Sequence, residues 1–154
     1  MAKPLLVALA FVALTAVALP ARADLLGSND KEVSVFLVRV YDDVTEASPV
    51  WSGVGTRLGW RFFDPFTVEG EAWLAGSART GNEAGGLVGL KANLGGPLLS
   101  FYGRGVAGHF RRNVLGGAIG LEGVFTRLIV RGEVLVLRGG DTDLGFSIGV
   151  GLRL

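Results

Sequence analysis

Few side chains in this 154-residue chain are equipped for chemistry: it has no cysteine and a single histidine, His109. Without thiolates there is neither a disulfide nor a thiolate zinc site, and no Asp/Glu cluster at ligand spacing accompanies His109, so no metal and no cofactor is expected. His109 is the only candidate general base; Ser48, Ser52 and Ser77 are the hydroxyls that could lie near one rim with it, but no spacing joins them to it. Gly116-Gly117-Ala118-Ile119-Gly120 is as glycine-rich as a nucleotide loop, yet no Gly-Lys-Ser/Thr follows. The charges follow a different rule. Arg57, Arg61, Glu69, Glu71, Lys91, Arg104, Glu122, Arg127, Arg131, Glu133 and Arg153 fall on one parity of alternating segments, seven basic against four acidic. Such rows do one kind of chemistry, mutual neutralisation in a confined space.

The elements that must position these charges are strands, because side chains of an extended chain alternate between two faces. Val50 to Phe63 shows it most clearly. Val50, Val54, Leu58, Trp60 and Phe62 share one face; Trp51, Gly53, Gly55, Arg57, Gly59 and Arg61 share the other. The same division recurs in Thr67–Ala78, Gly86–Leu94, Leu98–Gly108, Val114–Gly123, Thr126–Leu137 and Leu144–Leu154. Lys31–Asp42 makes an eighth strand, though neither of its faces is clean and a bulge is expected there. Eight is an even count, and each segment is about as long as the ~9 to 11 tilted residues that cross a bilayer.

Residues 1–23 read as an export signal: Lys3, an apolar run from Leu5 to Leu19, Pro20, then Ala21-Arg22-Ala23 as a cleavage pattern. Removing these 23 of 154 residues leaves 131, one domain of residues 24–154. Lys3 and Arg22 leave with the segment, so 13 of the 15 basic side chains remain against 14 acidic ones. No basic face points to nucleic acid. The 25 glycines lie inside alternating apolar segments rather than in a linker.

Alternation alone fits a soluble barrel with an oily centre or a membrane barrel with an oily exterior. The membrane form is expected, because the polar parity is glycine with a few Arg and Glu, and Lys31 and Lys91 are the only lysines after the signal. The chain is also expected to end on its last strand without a tail. The fold class is therefore all-β: an eight-stranded antiparallel up-and-down transmembrane β-barrel following a cleaved signal peptide. Side chains fill so narrow an interior, so a salt-bridged plug is favoured over a thin anion-favouring path through the basic excess.

Turn chemistry sets the register. A three-residue link Asp64-Pro65-Phe66 would set Arg61 opposite Glu69, with Arg57 diagonal to Glu71. A two-residue Gly96-Pro97 turn would pair Asn93 with Ser100 and Lys91 with Tyr102. A turn near Val124-Phe125 would bring Glu122 close to Arg127. The other connections, 43–49, 79–85, 109–113 and 138–143, are short for outward loops, which weakens an adhesin or receptor reading. Trp60, Phe62, Phe63 and Phe66, joined by Phe125, read as an interfacial aromatic girdle.

The carboxyl-terminal pattern Ser147-x-Gly149-x-x-Leu152-x-Leu154 resembles the terminal assembly signal of bacterial outer-membrane barrels, with Leu154 where the last residue is usually aromatic. With the signal segment and eight strand patterns, the whole mature chain resembles the small barrels typified by OmpX, the membrane domain of OmpA and the lipid A deacylase PagL. That resemblance implies outer-membrane localisation, insertion by the barrel-assembly machinery, lipid as a partner and a monomeric state. The deacylases carry His-x-Ser at the outer rim; here the stretch is His109-Phe110-Arg111, so the nucleophile does not carry over and a degenerate lipid A-modifying enzyme is the remotest reading. His109, Arg111 and Arg112 are better read as contacts to lipid phosphate. The expected role is structural, or the binding of a partner or lipid.

Overall fold

The computed structural model of the chain describes residues 31–41, 50–77, 81–96 and 98–154. The signal segment 1–23, its cleavage site near Ala23, and Ser48 lie outside the described residues. Eight strands follow one another: β1 (Lys31–Tyr41), β2 (Val50–Phe63), β3 (Phe66–Ser77), β4 (Gly81–Gly95), β5 (Leu99–Phe110), β6 (Arg112–Phe125), β7 (Leu128–Arg138) and β8 (Thr142–Arg153). Each pairs antiparallel with the next, and β8 returns to β1 to close the barrel. Closure leaves no edge with unpaired N–H and C=O groups. The Leu154 N–H completes it by donating to the Lys31 carbonyl at 2.8 Å.

One end of the barrel, the turn end, carries the strand ends Lys31 and Arg153 and the links β2–β3, β4–β5 and β6–β7. The other, the loop end, carries β1–β2, β3–β4, β5–β6 and β7–β8. At the loop end the strands run further than alternation suggests. β4 begins at Gly81 and pairs with Ser77, and β5 and β6 meet through Arg111 alone, whose φ is 61°. Pairing needs only backbone groups, so it continues through Gly81-Asn82-Glu83, where no apolar rhythm exists to read.

Outward positions carry Leu37, Val88, Phe101, Leu115, Ile119 and Ile148 among many large apolar side chains, with Ile119 71% exposed. Inward positions divide into two storeys. The turn-end storey is charged; the loop-end storey is apolar, with Val38, Val40, Trp51, Trp73, Phe110 and Leu137 buried. This explains the mixed faces of β1, whose inward row runs Glu32, Ser34, Phe36, Val38, Val40 through both storeys. The expected bulge there is absent: β1 keeps an unbroken register with β2 and with β8.

Three turn registers differ from expectation. Between β2 and β3 the link is Asp64-Pro65, Phe63 pairs with Phe66, and a bulge between Arg61 and Phe63 restores the alternation. Arg61 therefore faces Thr67, Gly59 faces Glu69, and Arg57 lies directly opposite Glu71. Between β4 and β5 the connection is longer than two residues: Gly95, at φ 138°, pairs with Ser100, which sets Lys91 opposite Arg104 and Asn93 opposite Tyr102. Both slips are by two residues, so every side chain stays on its expected face. At β6–β7 the turn falls on Thr126-Arg127, leaving Glu122 opposite Arg131.

Inward glycines make room for bulky neighbours. A Cβ on Gly120 would lie 2.6 Å from the Tyr102 ring, whereas one on outward Gly105 would meet nothing within 4 Å. Gly120→Ala should destabilise the barrel by about 1–3 kcal/mol through overpacking, and Gly105→Ala should stay within about 0.5 kcal/mol. Denaturant unfolding in detergent micelles measures both.

Candidate functional site

The inward row of each strand delivers its charges to the same storey, where the cross-section is too narrow for them to stay apart. Two groups form around shared carboxylates and cations. In the first, the Glu133 carboxylate accepts from Arg57 Nη2 at 2.6 Å, Arg104 Nη2 at 2.7 Å, Tyr102 Oη at 2.8 Å and Ser147 Oγ at 3.0 Å. Arg57 Nε also donates to Glu71 at 2.8 Å, and Arg104 Nη1 lies 2.9 Å from the same carboxylate. In the second, Arg131 donates to Glu122 at 2.6 Å, to Glu69 at 2.9 Å and to Glu32. Lys91 Nζ, fully buried, reaches Glu32, Glu122 and Glu69 at 3.0 to 3.2 Å.

This bonding makes burial tolerable, since an unpaired ion in a low-dielectric interior costs several kcal/mol. It also resolves the juxtaposition of Lys91 with Arg104 across β4 and β5: Glu69 lies 3.2 Å from Lys91 and 3.7 Å from Arg104. Tyr102 adds an aromatic face to Lys91 at 5.6 Å and to Arg131 at 5.9 Å.

Of the eleven charged residues expected on the inner face, ten are there. Arg57, Glu69, Glu71, Lys91, Arg104, Glu122, Arg131 and Glu133 are buried, and Arg61 and Arg153 are half-buried at the turn-end mouth. Arg127 is the exception: it is exposed in the β6–β7 turn, because β6 runs on to Phe125. Glu32, which the sequence reading passed over, is buried and joins Lys91, Arg131, Arg153 and Arg61. Its signal was the inward parity it shares with Ser34, obscured by the apolar residues that continue the row. With Arg127 outside and Glu32 included, the inward cluster is six cations against five carboxylates, and its buried part is four against five, so the basic excess is confined to the turn-end mouth.

The loop-end storey also went unread. Trp73 stacks on Phe110 with centroids 4.8 Å apart, Trp51 meets the same ring edge-on at 5.7 Å, and the Arg111 guanidinium lies 5.1 Å above Trp51. The three residues expected to share lipid phosphate diverge. His109 is exposed on the outer face with Nδ1 3.2 Å from Asn113 Oδ1, Arg111 covers Trp51, and Arg112 bonds Asp141 and Asp143 at 3.0 to 3.2 Å. Ser52 lies outward on β2 and Ser77 closes β3, strands that are not neighbours of the β5 strand of His109. Among the described residues no three His, Asp or Glu side chains are grouped to hold a metal ion.

In β8, Ser147 and Gly149 face inward and Leu152 faces outward. A Cβ on Gly149 would come within 2.9 Å of the Phe36 Cβ. At the turn end, Phe62, Phe63 and Phe66 form a ring cluster with centroids 4.6 to 6.5 Å apart, and Trp60 and Phe125 are exposed.

No protein-family model matches the sequence, and no curated protein matches it. Solved structures do match in fold. The N-terminal β-barrel domain of Pseudomonas aeruginosa OprF aligns with a TM-score of 0.58 over 83% of this chain and 99% of that one, at 12% identity. Ail, the attachment invasion locus protein of Yersinia pestis, aligns with a TM-score of 0.52 over 81% of this chain and all of its own in a phospholipid bilayer nanodisc, at 17% identity. In a crystal with the heparin analogue sucrose octasulfate, Ail aligns with a TM-score of 0.50 at 12% identity, over 81% of this chain and 97% of that one. The chain has the closed eight-stranded antiparallel fold of these small outer-membrane barrels.

Removing one centre of the network should expose its coupling. Arg131→Met leaves Glu32, Glu69 and Glu122 short of a partner and should cost about 3–5 kcal/mol of unfolding free energy. Adding Glu122→Gln should recover part of that loss, and a double-mutant cycle in detergent micelles measures the coupling.

Proposed function

We propose that this chain is an outer-membrane barrel of residues 24–154, exported by its first 23 residues, that spans the bilayer as a closed, plugged structural element with a partner- or lipid-binding role. The observation that carries the reading is the placement of large apolar side chains on the outside of every strand, against a charged and hydrogen-bonded interior. Exposing that surface to water would be an aggregation liability, whereas in hydrocarbon it is the required exterior. The aromatic cluster at the turn end suits a membrane interface.

The interior supports a plug. Each buried cation is shared between at least two carboxylates, and Trp51, Trp73 and Phe110 fill the storey above. An anion path would have rested on a basic excess that the buried cluster lacks. A deacylase-like reaction would need a serine beside His109, and among the described residues its ring bonds Asn113 while Ser52 and Ser77 lie on other strands. The β5–β6 hairpin closes through one residue and offers little surface for the attachment role in Ail's name. We assign Ser147, Gly149, Leu152 and Leu154 to recognition by the barrel-assembly machinery, and His109 at the loop-end rim to lipid headgroups.

Two measurements test this reading. In planar bilayers the protein should give no resolved conductance steps; regular, salt-dependent steps would overturn the plug. In lipid vesicles, Ile119→Arg should cost about 2–4 kcal/mol of stability, whereas in a water-soluble barrel the same exposed substitution would be close to neutral.

A further inference from the structure

The charged storey is not uniformly tight. Arg57 holds its carboxylates at 2.6 to 2.8 Å and Lys91 at 3.0 to 3.2 Å, and both cations are buried. The two arginines at the turn-end mouth are held differently. Arg153 Nη2 lies 3.3 Å from Glu32 and 3.6 Å from Glu122, and Arg61 Nη2 lies 3.8 Å from Glu32. Both carboxylates are already engaged by Lys91 and Arg131, so the mouth arginines share what those cations leave over. Arg61 has one further partner, Asp64 at 3.3 Å, whose side chain is 83% exposed and therefore strongly screened.

These two guanidinium groups line a cavity of about 340 Å³ with Asp64, Asn93, Ser100 and Glu122. Two buried polar atoms of its lining residues have no protein partner, Arg153 Nε, a donor, and Asn93 Oδ1, an acceptor. The Asn93 amide is oriented by its own donation to Glu122 at 3.2 Å, which leaves Oδ1 as the free end. Buried polar atoms without partners are uncommon in folded proteins and call for a ligand or solvent.

We propose that the turn-end mouth of the barrel is a binding site for a small carboxylate that also carries a hydrogen-bond donor, the carboxylate meeting Arg61 and Arg153 and the donor meeting Asn93 Oδ1. Guanidinium groups suit this chemistry because their planar donors match a carboxylate. Glu122 and Asp64 in the wall disfavour a ligand with a second negative group, and the ligand's one carboxylate must sit on the guanidinium side of the cavity. The site's geometry does not depend on the membrane placement proposed above; that reading, with the short turns of an outer-membrane barrel on the periplasmic side, sets only the compartment from which a ligand would arrive.

The test uses the refolded full chain in detergent micelles, with arginine Nε–Hε resonances followed by nuclear magnetic resonance. N-acetylglycine supplies both groups, acetate the carboxylate alone and N-acetylglycinamide the donor alone. N-acetylglycine should shift the Arg153 Nε–Hε signal saturably and bind more tightly than acetate, and N-acetylglycinamide should leave the signal in place. Arg61→Gln and Arg153→Gln should each weaken binding about tenfold, with folding checked by migration of the unboiled protein on a denaturing gel. Two variants on different strands keep the test valid if one fails to fold. Equal affinity for acetate, or retention of binding in a folded variant of either arginine, would overturn the proposal. So would the absence of a saturable shift with N-acetylglycine.

Discussion

The closure of β8 onto β1 is the constraint from which the other features follow. Once eight strands complete the ladder, no backbone edge is left to pair, and the diameter of the ring is fixed by its strand number. An interior of that width cannot hold bulky side chains from all eight strands at one level. Inward glycines such as Gly120 and Gly149 therefore oppose large residues such as Tyr102 and Phe36. The same confinement brings charges from different strands within hydrogen-bond distance. Glu133 on β7 thereby serves Arg57 on β2 and Arg104 on β5.

Confinement also accounts for the division of the interior. Charges gather at the turn-end half, where Glu32, Glu69 and Glu122 compensate Lys91 and Arg131. The other half is closed mainly by rings and aliphatic side chains, with Asp143 held by Arg112 at its rim. Replacing a buried ion network by apolar packing is often neutral or stabilising in proteins. This network is therefore weak evidence of stability by itself, and its value lies in the unique pairing it imposes. Arg57, Arg104 and Arg131 each satisfy several carboxylates from other strands, so a slipped register would strand at least one charge without a partner.

The strand number, closure and inward charge rows were legible because period-two alternation is a local property, carried by runs such as Arg57-Leu58-Gly59-Trp60-Arg61. Register was less legible. The bulge at Phe62 and the longer β4–β5 connection moved both pairings by two residues, a change that alternation cannot detect because it preserves the faces. Arg127 was misplaced because its parity continues the row of Arg131 and Glu133, while the chain turns before reaching it. Glu32 and the Trp51–Phe110–Trp73 group went unread for the opposite reason. Where the inner storey becomes apolar, both faces of a strand look alike, and β1 lost its contrast at Phe36, Val38 and Val40.

Orientation decides the whole account, and the absence of cysteine makes it directly measurable, since any introduced thiol is unique. Spin labels placed singly along β8 at 146 to 151, in protein reconstituted into lipid vesicles, report collision with oxygen dissolved in the bilayer and with a water-soluble nickel chelate. Labels at Phe146, Ile148 and Val150 should meet oxygen and be shielded from the chelate, with the intervening positions sheltered from oxygen. The reverse alternation, or chelate access along the Phe146, Ile148 and Val150 row, would contradict a barrel whose oily face is turned to lipid.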